Sequence, residues 1–387
     1  VESLDKEQEI PMAEFFASTS KGLPEVLEKE LIQLGVKVKG KTVAGVFFEG
    51  SWEDCYRVNL KSRIASRILK PVLDFPAYQG DEIYHNIRKH DFTKYIPVHK
   101  TIKVEATVTD SKIKDQRFIA MKVKDAIVDQ FRDKFGERPT VDSENPELRI
   151  YVRAKDNVFS VAIDTTGDSL FMRGYRLEAG DAPLKENLAA ALLAMAEWDG
   201  QTPIIDPMCG SGTILIEAAM QAMKLAPGSL RRKFGFMELN GFDQDAWERV
   251  VNEAMDEELS ELPFKFYGYD TDRKVLQMAK QNARRAGVDH LIEFKPGNVM
   301  TLKKPEGVES GVIITNPPYM IRLGDEDNVK DVYRDFAHSL KVEFKGWDAW
   351  ILSGNKDLIG DLKLKSSRKH FVFNGPIECR FLKYSMR

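Results

Sequence analysis

The segment Ile204-Ile205-Asp206-Pro207-Met208-Cys209-Gly210-Ser211-Gly212-Thr213 runs directly into the apolar residues Ile214-Leu215-Ile216. A short apolar strand, a Gly-x-Gly turn and a helix set backbone N–H groups and a bare turn at the carboxyl end of a strand. Open α/β sheets bind nucleotides at that place. Two common versions of such a loop are excluded. A dinucleotide fingerprint needs a third glycine at 215, which is Leu215, and no Gly-Lys-Ser/Thr follows for a P-loop. Alone, the segment is also compatible with a plain strand–helix turn, so its neighbours decide.

Downstream, Phe266-Tyr267-Gly268-Tyr269 reads as a buried strand ending in Asp270, with Thr271-Asp272 and a helix over 273–286 behind it. An acid closing the second strand is placed to take both hydroxyls of a ribose, whereas Asp272 reads as the helix cap. Loop and acid are ordinarily ~20 residues apart. Here an insert, 224–263, carries Arg231-Arg232-Lys233-Phe234 and then an acidic helix. From 183 onward, apolar segments at 203–205, 265–269, 291–294, 311–315 and 349–352 alternate with longer helices. That order predicts an α/β domain with a doubly wound, mostly parallel sheet.

Upstream the elements are smaller. Residues 14–19, 43–49 and 68–75 read as strands. Pro24 opens a helix that Gly35 closes, and Ser51 caps a second helix to about 67. This β-α-β-α-β order suggests a ferredoxin-like α+β unit. After the Phe75-Pro76 breaker come a helix near 81–90, a strand at 101–108, a long helix over 115–135 and a hairpin over 148–163 turning at Asp156-Asn157. The boundary to the α/β part is placed at 165–173, where Gly167 and Gly174 flank a short strand.

With 387 residues, 43% of them hydrophobic, the chain is long enough for two or three domains and too apolar for intrinsic disorder. The 57 Lys+Arg nearly balance 60 Asp+Glu, which excludes a polybasic coat. The balance hides an asymmetry: residues 1–11 carry −3, residues 12–165 carry +3 and residues 166–387 carry −3. Within the basic part, Lys112, Lys114, Arg117 and Lys122, with Lys124, are spaced to track phosphates or to form a solvated helix face. Cys55, Cys209 and Cys379 lie far apart without CxxC spacing, which fits a reducing cytosol. Cys209 reads as a packing residue. His85, His90 and His99 lack ligand spacing, so no metal is expected. The longest apolar run, 189–196, is far short of the ~18 residues of a membrane span. A cytoplasmic protein with no membrane partner is expected. Residues 1–11 lack the plan of a signal peptide and read as a leader or an expression remnant.

One further motif carries chemistry. Val312-Ile313-Ile314-Thr315 is an apolar strand that ends in Asn316-Pro317-Pro318-Tyr319. Paired prolines often only stop a strand, but here each residue fits the methylation of an exocyclic amine, a poor nucleophile whose lone pair is delocalised into the base. The Asn316 side-chain oxygen and the Pro317 carbonyl can each accept a hydrogen bond from the NH2, drawing the nitrogen towards tetrahedral geometry and aiming it at a sulfonium methyl. Pro317 and Pro318 stiffen the turn, and Tyr319 offers a face on which a flipped-out base can stack.

With these motifs in place, the sequence resembles the class I S-adenosylmethionine-dependent methyltransferases that act on amines: 206–213 as the cofactor loop, Asp270 as the ribose acid and Asn316 to Tyr319 as the catalytic motif. Arg173-Gly174-Tyr175-Arg176, the run Ala182-Pro183-Leu184-Lys185-Glu186-Asn187-Leu188-Ala189-Ala190 and the C-terminal Trp350-Ile351-Leu352-Ser353-Gly354-Asn355 narrow it to THUMP-domain RNA methyltransferases. Over nearly all of 12–387 it is similar to the large-subunit rRNA guanine-N2 methyltransferases. The resemblance implies an N-terminal ferredoxin-like domain (12–74), a THUMP RNA-binding domain (75–165) and a Rossmann-like methyltransferase domain (166–387). It implies S-adenosyl-L-methionine held by Lys185, Asp206, Met208, Cys209, Gly210, Ser211, Gly212, Thr213, Asp270 and Asn298. The implied substrate is guanine N2 in 23S rRNA or its precursor. tRNA guanine-N2 methylation, DNA adenine-N6 methylation and a non-catalytic RNA-binding assembly factor are the competing readings. Two positions depart from the family pattern: Asn298 stands for an acid after Gly297, and Met320-Ile321 for Gly-Glu before Arg322-Leu323-Gly324.

Overall fold

Eight strands in the first 165 residues form one sheet: β1 (Ala13–Ser18), β2 (Lys37–Thr42), β3 (Gly45–Gly50), β4 (Arg67–Pro76), β5 (Thr101–Thr109), β6 (Thr140–Val141), β7 (Leu148–Lys155) and β8 (Val158–Asp164), in the order β2-β3-β1-β4-β8-β7-β5-β6. The structure, a computed structural model, describes residues 11–176, 184–318 and 326–387, with the side chains of 326–328 outside that description. Helices α1 (Pro24–Gln33), α2 (Trp52–Lys61), α3 (Gly80–Lys89) and α4 (Gln116–Phe135) join the strands in one core through Leu27, Val58, Ile87 and Ile127, all fully buried.

Three expectations are corrected here. Lys37–Thr42 is an additional strand, giving β-α-β-β-α-β; its lysines alternate with half-buried residues on a sheet edge, where charge is tolerated and the hydrophobic signal is weak. The second helix stops at Lys61, because half-buried Glu30 of α1 accepts the Ser62 hydroxyl at 2.6 Å and the Arg63 N–H at 2.7 Å, holding the chain out of the helix. Phe75-Pro76 is no break: Phe75 pairs with Phe159 and Pro76 with Val158, so β4 and β8 fuse the two N-terminal units into one sheet.

The stretch 165–173 contains no strand. Its carbonyls are satisfied by a side chain instead: the Arg231 guanidinium donates to Thr166, Asp168, Ser169 and Met172, with 2.7 Å to Asp168. Four carbonyls converging on one guanidinium define a folded corner, not an extended segment.

Beyond it, β9 (Ile204–Asp206), β10 (Phe266–Asp270), β11 (Ile292–Pro296), β12 (Val312–Thr315), β13 (Asp348–Ser353), β14 (Arg368–Asn374) and β15 (Ile377–Ser385) form a second sheet ordered β11-β10-β9-β12-β13-β15-β14. Neighbours from β11 to β13 are parallel, and the β14–β15 hairpin adds antiparallel to β13. Helices α5 (Glu186–Met195), α6 (Thr213–Ala222), α7 (Gln244–Asp256), α8 (Arg273–Arg285), α9 (Glu326–Glu343) and α10 (Lys356–Asp361) connect these strands. Trp347 and Trp350 are core residues. The strand order reverses between β9 and β12, which is where doubly wound sheets open a crevice beyond their carboxyl ends.

The insert 224–263 joins the two sheets' domains. Tyr56 of α2 packs against Phe236, Phe242 and Trp247, while Lys61 pairs with Glu257 at 2.7 Å and Arg249 with Glu53 at 2.9 Å. Deeper in the seam, Arg173 and Glu217 form an ion pair at 3.2 Å, exposed by 1% and 0%. The Arg173 guanidinium also donates to the carbonyls of Leu170 and Arg63, and the Tyr175 hydroxyl donates to Glu217. A buried charge of this kind persists because every strong donor and acceptor finds a partner.

Candidate active site

Three strands end in polar residues on either side of the switch point: β9 in Asp206, β10 in Asp270 and β12 in Thr315. Parallel register brings these ends together. The Gly210 N–H donates to Asp270 Oδ2 at 3.0 Å, and Cys209 N–H donates to the Tyr269 carbonyl at 2.9 Å. The loop and the second-strand acid, 60 residues apart in the chain, are therefore in direct contact. Asp270 Oδ1 accepts the Asp272 N–H, and Asp272 in turn caps α8 through Lys274 N–H and Val275 N–H, as its position predicts.

The turn itself needs glycine. Gly212 has φ +81°, and a Cβ there would lie 2.9 Å from the Phe294 ring. Gly210, at φ +51°, is likewise left-handed. Gly212 is the N-cap of α6, so Thr213 begins the helix and the helix's free N–H groups face the loop. Ser211 is tied down by its carbonyl, which accepts from Asn282 Nδ2 at 3.2 Å.

Asp206 is 2% exposed and accepts from the Thr315 hydroxyl at 2.7 Å and the Met208 N–H at 3.2 Å. Burial pushes its carboxyl up to about 7, against the lowering pull of those two donors. Burial likewise lifts the Cys209 thiol well above its usual range, which keeps it unreactive and fits a packing role. Thr315 thus bonds the cofactor-type loop to the strand that carries Asn316. The Asn316 Oδ1 atom is buried and has no hydrogen-bond partner among the described residues. Pro317 is buried and Pro318 exposed, whereas Tyr319, Met320 and Ile321 lie outside the described residues.

The remaining expected residues are more dispersed. Asn298 is exposed at the end of the β11 loop, and its side-chain oxygen accepts the Met300 N–H at 2.9 Å, which leaves a second lone pair open. Lys185 is the N-cap residue of α5, with its ammonium 4.6 Å from the Phe171 ring centre. In the N-terminal part, Lys112, Lys114 and Arg117 are exposed without ion-pair partners among the described residues, whereas Lys122 pairs with Asp81 at 3.2 Å. No group of three or more His, Cys, Asp or Glu is gathered to hold a metal among the described residues.

Three loop-setting residues were not anticipated from the sequence: Thr315, Asn282 and Arg176. Arg176 donates to the Leu184 carbonyl and the Thr213 hydroxyl, linking the start of α5 to the start of α6. Thr315 is the polar end of an apolar strand, and Asn282 sits among Leu276, Ala279 and Ala283 on the buried face of α8. A polar residue at a buried position of an otherwise apolar face was the available signal.

A glycine turn at the switch point, an acid at the end of the neighbouring strand and Asn-Pro-Pro at the end of the next one define a class I methyltransferase. The chain belongs to the RMKL-like methyltransferase family, whose methyltransferase domain matches residues 173–383; residues 78–164 match a THUMP domain and 14–69 the RlmL ferredoxin-like domain. It is 40% identical over 97% of its length to the ribosomal RNA large subunit methyltransferase K/L of Aliivibrio salmonicida, but spans only 54% of that protein. A Synechocystis protein, provisionally named an RNA methyltransferase, is 38% identical with 96% of both chains covered. Among solved structures, SMU.472, a provisionally named methyltransferase complexed with SAH, superposes with a TM-score of 0.88 at 31% identity, covering 97% of this chain and 98% of that one.

Proposed function

We propose that this chain transfers a methyl group from S-adenosylmethionine to an exocyclic amine of an RNA base, at guanine N2 in 23S rRNA. The observation that carries the reading is the buried Asn316 oxygen, without a hydrogen-bond partner among the described residues, one residue beyond the hydroxyl that ties β12 to the glycine loop. An unsatisfied buried acceptor costs stability unless a ligand donor completes it, and a base NH2 is such a donor.

The residues present fit the cofactor. The bare turn at Gly210 and Gly212, the N–H groups opening α6 and the Asp270 carboxylate form a cradle for a nucleoside with a charged tail. We assign its binding to Lys185, Asp206, Met208, Cys209, Gly210, Ser211, Gly212 and Thr213, with Asp270 accepting the ribose hydroxyls and Asn298 the adenine amine. When bound, S-adenosylmethionine supplies an electrophilic methyl on sulfonium. The chain's own work is orientation: Asn316 and the Pro317 carbonyl accept from the amine, Pro318 stiffens the turn and Tyr319 stacks the base. No side chain has to be ionised for this. Residues 12–74 and 75–165 act as the RNA-docking ferredoxin-like and THUMP domains, residues 166–387 as the catalytic domain, and the cytoplasm is the expected location. The rRNA named for the Aliivibrio relative supports the substrate class.

The test is incubation with labelled S-adenosylmethionine and unmodified 23S rRNA, tRNA or duplex DNA, followed by nucleoside analysis. The expected product is N2-methylguanosine in 23S rRNA. Label as N6-methyladenine in DNA would overturn the assignment, and N2-methylguanosine confined to tRNA would replace the substrate.

A further inference from the structure

A cleft of about 1250 Å3 lies on the seam between the N-terminal sheet and the catalytic domain. It is bounded by α1 and the β2–β3 turn on one side and by the carboxyl ends of α5 and α6, with β14, on the other. These helix ends lie at the amino ends of the parallel strands, so the cleft opens at the opposite end of the sheet from Asn316. The β1–α1 turn closes directly onto β14: a Cβ at Gly22, whose φ is +90°, would lie 2.5 Å from the Phe371 carbonyl oxygen. That close approach makes the cleft a built feature of the domain seam.

The charge in this cleft differs from that of the chain as a whole. Seven lysines and arginines line it against four glutamates, although the net charge of the protein is −3. Three of the four glutamates are already engaged. Glu257 holds Lys61 at 2.7 Å, Glu197 holds Arg368 at 2.8 Å and Glu30 accepts from Ser62 and the Arg63 N–H, while the exposed Glu25 lies 4.0 Å from Lys41, which Glu28 holds at 2.7 Å. Lys21, Lys29, Lys224 and Lys369 line the cleft, are exposed and have no ion-pair partner among the described residues. Lys224 stands at φ +58° after α6, a left-handed position that ordinarily goes to glycine or asparagine.

Flat apolar surface is interleaved with this charge. Phe371 is 46% exposed on the edge strand β14, with Lys369 at 5.0 Å and Arg380 at 5.8 Å from its ring centre, and Lys21 lies 4.9 Å from the ring of Phe373. Lysines without an ion-pair partner among the described residues, set beside an exposed aromatic ring, match a ligand with a phosphate backbone and unstacked bases. Duplex RNA offers the charge without the accessible base faces.

We infer that the seam cleft is a second RNA-contact site, holding a single-stranded stretch of the substrate on the far side of the catalytic domain from the target base. The inference rests on the RNA reading above and extends it to a footprint that continues beyond the reacting nucleotide.

The 387-residue chain and two fluorescein-labelled probes, a single-stranded oligouridylate and an RNA duplex, test it by anisotropy across a salt series. The triple variant Lys21→Gln, Lys29→Gln, Lys369→Gln should flatten the oligouridylate salt slope by about 2, as ~0.7 per lost phosphate contact requires. Phe371→Ala should weaken oligouridylate binding by about tenfold with the slope unchanged and leave duplex binding alone. Circular dichroism and S-adenosylmethionine titration of the same variants should match the parent protein. A triple variant with the parent's slope would overturn the site. If instead the parent protein binds oligouridylate with a cleft-dependent slope but methylates no RNA, the cleft stands and the functional reading falls.

Discussion

Replacing Asp206 with Asn removes a carboxylate that burial holds near 7, without changing the shape of the side chain. The consequence for stability follows from linkage. A folded-state value raised from the ordinary 3.8 to about 7 means that the native protein binds this proton more tightly than the unfolded chain. The associated stability is fully present below pH 3.8 and is lost as the pH rises towards 7. At 1.36 kcal/mol per unit, the wild-type protein should lose about 2 kcal/mol between pH 5.5 and pH 8 from this group alone, most of it by pH 7. Asp206→Asn has no proton to lose. The Thr315 hydroxyl and Met208 N–H, now donors to an amide oxygen, keep their acceptor. Thermal unfolding of cofactor-free protein at pH 5.5 and 8.0 measures the effect. For a catalytic domain of this size, about 2 kcal/mol corresponds to roughly 4–8 °C. The variant should therefore gain that much Tm over wild type on going from pH 5.5 to 8.0. A Tm difference between the two proteins that is the same at both pH values would refute the buried-carboxylate argument.

Three other perturbations have defined outcomes. Asn316→Ala should lower turnover by on the order of 100-fold, the scale of losing one preorganised transition-state hydrogen bond, while calorimetric affinity for S-adenosylmethionine barely moves; near-normal turnover would remove Asn316 from the mechanism. Changing Lys112, Lys114 and Arg117 to Ala should weaken RNA binding across sequences and flatten its salt slope by about 2–3; an unchanged slope would mark this as a solvated face. Arg173→Met should destabilise the fold by about 3–5 kcal/mol by leaving the buried Glu217 carboxylate without its cation, and adding Glu217→Leu should recover most of that loss in a denaturant titration. A double variant no more stable than Arg173→Met would locate the cost in packing.

Much of the architecture was legible because its signals are local. The parallel strands of the catalytic domain are short apolar runs with turn residues behind them, and the helix over 115–135 carries its own start and stop in Asp115 and Gly136. Lys37–Thr42 escaped because an edge strand buries little, so its sequence need not alternate strongly. The corner at 165–173 escaped because its stabilising partner, Arg231, lies some 60 residues away, and no pattern within the segment announces it.

The amino-acid order by itself determined the chemistry that each motif can perform. Asp206 to Thr213 is a turn that a nucleoside can approach, Asp270 is an acid at a strand end, and Asn316 to Pro318 presents acceptors on a rigid turn; residue type and immediate neighbours decide such properties. Tertiary structure alone decided which of these groups meet and in what state. Only parallel pairing of β9, β10 and β12 brings Gly210 N–H onto Asp270 and the Thr315 hydroxyl onto Asp206. Only burial raises that carboxyl to about 7, because desolvation depends on everything packed around a group and not on its neighbours in the chain. The seam is the same case. Arg173, Glu217 and Arg63 are ordinary charges in the sequence, and they become a buried joint because three distant segments fold onto one another.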